Sequence, residues 1–181
     1  MTAQKLTDLT EATTLADADQ LLATTAPGGS PVSKKVAVSN VLRLALGHIS
    51  VTGGSASQSL SATTWTKVTQ FTAEANYDAK TTAAHADDSI ILIDAGVYMV
   101  DWMCSFTGAT TSEYRLAVYF DGSIVLAPAI ITTTSTNEHC VTVRIPVTAG
   151  TAADKIEAYV YSDGANAFAV KESVLTAQRI A

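Results

Sequence analysis

The feature that most constrains the fold is a series of alternating apolar and polar runs that begins at Trp65 and recurs about every ten residues. Turn residues such as Asp121–Gly122 separate these runs, a pattern typical of an antiparallel sandwich or barrel. The composition agrees, because thirty Ala and twenty-six Thr stand against four Phe and two Trp, and β-branched residues favour strands. The predicted fold class is all-β.

The run from Val97 to Phe106 predicts a strand that is apolar on both sides. Its predicted core side carries Tyr98, Val100, Trp102, Cys104 and Phe106. Its other side carries Val97, Met99, Asp101, Met103 and Ser105, an unusually apolar set for contact with water. We therefore expect this second side to meet a neighbouring sheet or another subunit.

Other runs follow the same alternation. In the stretch 114–120, one predicted face carries Tyr114, Leu116, Val118 and Phe120, and the other carries Arg115, Ala117 and Tyr119. Two further inward sets are Val141, Val143 and Ile145, and Ile156, Ala158 and Val160. Pro146 marks a strand edge or end, and the last strand is predicted to run from Ser173 to Ile180.

Composition divides the chain into three predicted parts: an N-terminal arm at 1–47, a linker at 48–62 and the main domain at 63–181. The arm is predicted to contain a short strand at 33–38. A short helix follows it, capped by Ser39 or Asn40, filled by Val41, Leu42, Leu44, Ala45 and Leu46, and ended by Gly47. The Gly/Ser/Thr-rich stretch around Gly53 and Gly54 is typical of a linker.

Charge and hydropathy exclude several functional classes. A net charge of −6 and a pI near 4.9 leave no basic patch for nucleic acid. No apolar stretch approaches the roughly 18–20 residues of a membrane span, and the opening MTAQKLTDLT lacks the apolar core of a signal peptide. We therefore expect no membrane partner and synthesis in the cytoplasm. Cys104 and Cys140 are expected to be buried free thiols, with a disulfide as the lesser alternative.

Candidate catalytic and metal-binding residues are sparse. The three histidines show no i, i+4 pair, so neither a metal site nor a cofactor is expected. His85 beside Asp87 and Asp88 fits a solvated loop better than a cation site. Asp94 and Asp101 flank a strand instead of forming a glycosidase pair, and no nucleophile elbow or phosphate loop occurs. We expect no enzymatic activity. A set of aromatic residues is compatible with a sugar-binding surface, but the core is favoured because most aromatic residues of a small sandwich lie there: Trp65, Tyr77, Trp102, Tyr119, Tyr159 and Tyr161.

From Trp65 to Ile180 the sequence resembles the jelly-roll domain of the tumour-necrosis-factor (TNF) and complement-globular-head superfamily. The matching segments are Lys67–Val68 with Phe71, 76–78, 95–100, 114–116, 147–150 and 173–180. The resemblance implies a homotrimer with aromatic and small apolar residues along its axis. Candidate trimer-interface residues are Met99, Met103, Tyr119, Tyr159 and Tyr161. A charge at Met99 or Met103 is expected to weaken assembly more than one at Thr133, which is predicted to lie in a solvated loop.

The arm resembles a segment found at the start of many tailed-bacteriophage virion proteins. The matching segments are 5–9, 17–22 and 33–42. The resemblance implies that this part docks to the particle while the following domain projects outward. Candidate capsid-docking residues are Leu6, Leu9, Leu21, Leu22, Val36, Val38, Val41 and Leu42.

Together the two resemblances predict a structural virion protein, a trimeric capsid decoration or cement protein on the outer surface of a phage capsid. Its expected partners are two further copies of the chain and the major capsid protein of the same phage. The alternative is a head-fibre or tail-fibre tip that binds a bacterial surface glycan. A secreted complement-type module is a third reading, disfavoured because neither a signal peptide nor a collagen-like repeat is present.

Overall fold

The chain divides into two compact units, Met1–Arg43 and Leu44–Ala181. The computed structural model describes residues 20–25, 32–37, 46–54, 57–76, 81–125, 128–150 and 153–180. In the first unit, β1 (Gln20–Thr25) pairs antiparallel with β2 (Val32–Ala37). The predicted strand at 33–38 is therefore confirmed within one residue, and its partner strand was not predicted.

The second unit is a sandwich of two antiparallel sheets. Its strands are β3 (Leu46–Val51), β4 (Ser57–Ser59), β5 (Thr66–Lys67), β6 (Ala73–Asn76), β7 (Thr81–Ala84), β8 (Ser89–Leu92), β9 (Gly96–Gly108), β10 (Glu113–Phe120), β11 (Ser123–Ile124), β12 (Ala129–Thr132), β13 (His139–Ala149), β14 (Asp154–Ser162) and β15 (Ala167–Arg179). Among the described residues the one helical element is a 3-10 turn at His85–Asp87. No helix in this part of the chain is long and apolar enough to cross a membrane.

Many neighbouring strands in the two sheets are far apart in the sequence. The six-stranded sheet has the order β13-β9-β15-β3-β6, with β4 beside β15. The seven-stranded sheet has the order β11-β10-β14-β8-β7, with β12 beside β10 and β5 beside β14. The inward faces of both sheets supply one hydrophobic core. This architecture confirms the predicted TNF-like jelly-roll sandwich.

The predicted inward and outward faces of the long strands are confirmed. On β9, the five residues of the predicted core side are at most 1% exposed. On β10, Tyr114, Leu116 and Val118 are buried and Phe120 packs against the core. Asp121 and Gly122 both have positive φ, 47° and 77°, as a two-residue hairpin turn requires. Local alternation and turn chemistry therefore determine these elements.

The predicted linker at 48–62 is wrong over its first residues, because they form β3 in the middle of the six-stranded sheet. Ile49 and Val51 are buried, and β3 pairs with β15 on one side and β6 on the other. Most of the predicted helix lies outside the described residues, but its last residue, Leu46, begins the strand instead. Gly47 does not end a helix; a Cβ there would approach the Thr81 Oγ1 to 2.7 Å.

Strand β15 begins six residues earlier than predicted and contains a β-bulge between Val170 and Glu172. Phe168 and Val170 are buried before the bulge, and Leu175 and Ala177 are buried after it. The inward positions therefore change from even to odd numbers along the strand. The extra residue breaks the sequence alternation, which explains why the pattern predicted a strand only from Ser173 onward.

Thr133 is fully buried, so its predicted place in a solvated loop is wrong. Its Oγ1 donates to the carbonyl oxygen of Ala109 at 2.5 Å and also lies 3.0 Å from that of Ser112. The backbone N–H of Ser112 in turn donates to Oγ1 at 3.3 Å. These contacts tie the chain after β12 to the turn between β9 and β10, where a hydroxyl is needed because water is excluded.

Candidate functional site

The structure separates the five candidate interface residues into two groups on opposite outward faces of the sandwich. Met99 and Met103 lie on the outward face of the six-stranded sheet. Tyr119, Tyr159 and Tyr161 lie on the outward face of the seven-stranded sheet. The methionines and the tyrosines therefore belong to two distinct surfaces.

The first surface, which we call the methionine face, crosses four strands of the six-stranded sheet. Its register places Thr142, Met103, Val174 and Ser50 in one row, and Pro146, Met99, Gln178 and Leu46 in another. Met103 is 51% exposed, and the described residues place no further layer of chain over it. The apolar members of the methionine face are Leu46, Val97, Met99, Met103, Pro146 and Val174.

A polar row crosses the methionine face between these two rows and consists of Arg144, Asp101, Thr176 and His48. The Arg144 Nε lies 3.3 Å from an Asp101 carboxylate oxygen, and both side chains are well exposed. An exposed pair of this kind contributes at most about 1 kcal/mol, because water screens both charges. The methionine face therefore consists of two rows with apolar members on either side of a polar row that contains one solvated charge pair.

The second surface, which we call the aromatic platform, is a grid on the outward side of β10, β14 and β5. Backbone register aligns Arg115 with Tyr161, Ala117 with Tyr159, and Tyr119 with Glu157. On the other side of β14, Lys67 aligns with Tyr159. The members of the aromatic platform are Trp65, Lys67, Arg115, Ala117, Tyr119, Glu157, Tyr159 and Tyr161.

The rings of the platform contact one another closely. Tyr119 and Tyr159 stack, with ring centroids 3.9 Å apart and planes inclined by 23°. Trp65 lies beside this stack, 6.0 Å from the ring of Tyr119 and 5.6 Å from that of Tyr161. All four rings are half-buried. Ala117, although it faces outward, is only 2% exposed, which shows that larger neighbouring side chains cover it.

Two ion pairs of opposite charge lie beside the rings. The Arg115 guanidinium lies 4.9 Å from the centre of the Tyr161 ring, and its Nε donates to Glu113 at 2.6 Å. The Lys67 ammonium donates to a Glu157 carboxylate oxygen at 2.6 Å and to the Asp87 carbonyl oxygen at 2.6 Å.

These surroundings raise the pKa of three platform side chains. Partial burial raises the pKa of Tyr119 and of Tyr159 above the usual value, so both phenols stay neutral donors at physiological pH. The hydrogen bond to Glu113 raises the pKa of Arg115. Two cations and two carboxylates therefore give this surface no net charge.

The sequence indicated only part of this site. Trp65 and the three tyrosines were recognised as a set that fits a sugar-binding surface or a core, whereas Trp102 of that set is in the core and Tyr77 lies outside the described residues. Lys67 and Arg115 were missed as members. The available signal was the alternation itself, which places Arg115 outward on its strand.

The candidate catalytic and metal-binding residues have ordinary structural roles. The His85 Nδ1 lies 2.8 Å from a Glu74 carboxylate oxygen, and Glu74 also accepts the His85 backbone N–H, which lowers the pKa of Glu74. The Asp88 carboxylate accepts the backbone N–H of Phe71 at 3.3 Å. Asp94 lies 3.8 Å from the Arg179 guanidinium. The described residues contain no cluster of three or more His, Cys, Asp or Glu side chains that would suit a metal.

Both cysteines are free, but only Cys104 is buried; the prediction that Cys140 is also buried is wrong. Cys140 lies opposite Ser105 in the ladder, one position away from Cys104. The two thiols therefore point to opposite faces of the sheet, which prevents a disulfide between them. Burial raises the pKa of Cys104 to about 12.

Three of the eight candidate docking residues fall in described strands. In the hairpin of the first unit, Leu21 pairs with Val36, and Leu22 pairs with Lys35. The other five, Leu6, Leu9, Val38, Val41 and Leu42, lie outside the described residues. The docking role of all eight remains a prediction.

Comparison with solved structures supports the fold. The TNF protein Eiger from S. frugiperda matches with a TM-score of 0.51 at 12% identity, covering 76% of this chain and 92% of that one. Murine APRIL matches with a TM-score of 0.50 at 14% identity, covering 76% and 99%. The vertex protein P5 of PRD1 gives a TM-score of 0.48 at 18% identity, covering 76% and 97%. No protein-family model and no curated protein matches the sequence. At these identities the first two likenesses define a TNF-like jelly roll and nothing finer.

Proposed function

We propose that the chain is a structural virion protein, a trimeric decoration or cement protein on the outer surface of a bacteriophage capsid. The observation that carries this proposal is the methionine face, an outward face of a TNF-like jelly roll on which apolar residues such as Met103 are exposed. The arm is the second element of the proposal, because all but its last four residues form a compact unit, Met1–Arg43.

The methionine face is the surface through which the subunits bind one another. Met103 is half exposed, and exposed apolar side chains gathered on one outward face are typical of an interface. Transfer of such side chains out of water stabilises association by roughly 25 cal/mol per Å² of apolar area. The trimer itself is the oligomer implied by the resemblance to the TNF superfamily.

The arm docks to the major capsid protein through the apolar residues predicted from the sequence. Three tethered arms act on the capsid at roughly millimolar effective concentration, so weak individual contacts give slow release. The mechanism is non-covalent stapling of neighbouring capsid subunits, and it requires neither a cofactor nor a catalytic centre.

The oligomeric part is tested by sedimentation velocity of the full chain. We expect a trimer at micromolar concentration, and we expect Met103→Glu to dissociate it because an unpaired buried charge costs several kcal/mol. Ile130→Glu is the matched control, since Ile130 is 58% exposed on β12 of the other sheet. A wild-type monomer, or equal dissociation by both variants, would contradict the methionine face as the interface.

The docking part is tested by truncation. Removal of residues 1–43 leaves the second unit whole, whereas a cut at residue 50 would remove most of the core strand β3. We expect the shortened protein to remain a folded trimer. When it is added to capsids prepared without the decoration protein, it should no longer sediment with them. Binding of the shortened protein with wild-type affinity would exclude the arm as the docking element.

A fibre tip that binds a bacterial glycan is the second candidate, and the aromatic platform is the observation that favours it. The two functions differ in copy number per particle, which is high for decoration and low for a fibre tip. They also differ in effect on the shell, because bound decoration stabilises the intact capsid by mass action. Equal heat resistance of capsids with and without the protein would favour the fibre tip.

A further inference from the structure

We propose that the aromatic platform is a binding site for a neutral oligosaccharide, with the pyranose rings lying against Trp65, Tyr119, Tyr159 and Tyr161. This inference deepens the second candidate function, and it does not rest on capsid docking because the site uses neither the arm nor the methionine face.

The open area of the four rings matches a few sugar units. A large aromatic side chain has about 150–250 Å² of surface, and four rings that are each at most about a third exposed leave at most about 200–350 Å² open. One partner in a standard protein–protein interface contributes about 800 Å². The rings alone are therefore of the size of a few sugar units, and the exposed Ile124 and Ile130 adjoin them, opposite Tyr119 and Arg115 in the ladder.

The chemistry of the platform fits a sugar ring. A pyranose has an apolar C–H face and a rim of hydroxyls, and Tyr and Trp each combine an apolar ring with a polar group at its edge. The rings are surrounded by donors and acceptors, among them the Arg115 guanidinium and the Glu157 carboxylate. A few fixed polar groups around an apolar surface are what orients a small ligand in its site.

The charge of the platform selects a neutral glycan. Arg115 is paired with Glu113, and Lys67 is paired with Glu157, so no cation is left over to neutralise an acidic sugar. The whole chain also carries a net charge of −6, which repels polyanions. Charge complementarity therefore favours uncharged hexoses over sialylated or uronic-acid glycans.

The platform is rigid before a ligand arrives. The Tyr119–Tyr159 stack and the contact of Arg115 with Tyr161 hold the rings on neighbouring strands. The small side chain of Ala117 lets the rings lie across the sheet, and a bulky residue there would lift them. A preordered surface loses little side-chain entropy on binding, which favours a weak ligand such as a sugar.

The two tryptophans provide a direct measurement on the full chain. Trp65 belongs to the platform, whereas Trp102 is 1% exposed in the core. With 5-fluorotryptophan incorporated, the protein gives two ¹⁹F NMR signals, one for each environment. We would titrate maltotetraose, cellotetraose, mannotetraose, galactotetraose and chitotetraose to millimolar concentration, with a hyaluronan tetrasaccharide as the acidic probe. We expect at least one neutral probe to move the Trp65 signal and leave the Trp102 signal unchanged.

Variants link the signal to the platform. Tyr159→Ala is expected to weaken binding by about tenfold or more, and Tyr159→Phe is expected to retain it because the ring stays. Arg115→Ala changes an exposed side chain and provides a second variant if Tyr159→Ala does not fold, as judged by the Trp102 signal. Met103→Ala, on the opposite face, is the matched control and should bind as wild type.

Several results would overturn the proposal. These are no response to any neutral probe, a response to the acidic probe alone, or undiminished binding by both Tyr159→Ala and Arg115→Ala. None of these results depends on the arm or on capsid binding, so the glycan proposal and the capsid-docking proposal fail separately.

Discussion

The buried hydrogen bond between Trp102 and Ser173 links two central strands of the six-stranded sheet and permits a quantitative test. The Trp102 indole N–H donates to the Ser173 Oγ at 2.9 Å, and each residue is 1% exposed. In Ser173→Ala, the indole N–H loses its acceptor, and water cannot replace it at this depth. A buried donor without a partner costs about 1–3 kcal/mol.

We therefore expect Ser173→Ala to lower the free energy of unfolding by about 2 kcal/mol, equivalent to roughly a thirtyfold change in the folding equilibrium. The assay is urea denaturation followed by tryptophan fluorescence, at one fixed protein concentration because association also affects stability. Ser105→Ala is the matched control, since Ser105 lies on the outward side of β9 and bonds the exposed Glu138. A loss no larger than that of the control would refute the argument.

Three further predictions concern Gly108, the two cysteines and Asp88. Gly108→Ala is expected to lower stability by about 1–3 kcal/mol in the same assay, because its Cβ would approach the buried Tyr114 hydroxyl to 2.5 Å; unchanged stability would contradict this clash. Maleimide at mildly alkaline pH should label Cys140 alone in the native protein, because burial raises the pKa of Cys104 to about 12; mass spectrometry showing two labels would count against it. Burial also raises the pKa of Asp88, so its contribution to stability is present at low pH and is lost as pH rises from the unfolded to the folded pKa. The stability of Asp88→Asn relative to wild type should therefore increase across that interval, and a constant difference would argue against burial as the cause.

Short-range sequence patterns correctly predicted the strands and turns that depend only on neighbouring residues. Alternation gave the two faces of β9 and β10, and Asp121–Gly122 gave the turn that follows, because side-chain direction and turn conformation depend on neighbouring residues. β3 was missed because its outward residues, His48 and Ser50, are polar and a glycine-rich stretch follows. Its strand conformation comes from pairing with β15, where Ile49 lies opposite Leu175, and no short window of sequence contains that contact.

The candidate site was predicted in part for the same reason. Alternation indicates which side of a strand faces outward, but it does not indicate which sheet the strand joins. The sequence therefore does not show that Met103 and Tyr159 lie on different sheets, those of β9 and β14, and the role of both in a trimer interface stays a prediction. The stacking of Tyr119 on Tyr159 depends on the register of β10 with β14, which is a long-range property.

The bulge in β15 also determines which change of chain length this strand tolerates. If Lys171 were deleted, the residues from Phe168 to Leu175 would alternate without interruption, with Val170 and Ser173 still directed inward. An added residue elsewhere in β15 would instead turn one half of its core residues toward water. Lys171 is thus the extra residue that shifts the inward positions from even to odd numbers. At the same point, the Gly54 N–H donates to the Lys171 carbonyl oxygen at 2.9 Å. We therefore expect deletion of Lys171 to leave the pairing of β15 with its neighbouring strands intact. The segment after β3 would lose the hydrogen bond from the Gly54 N–H.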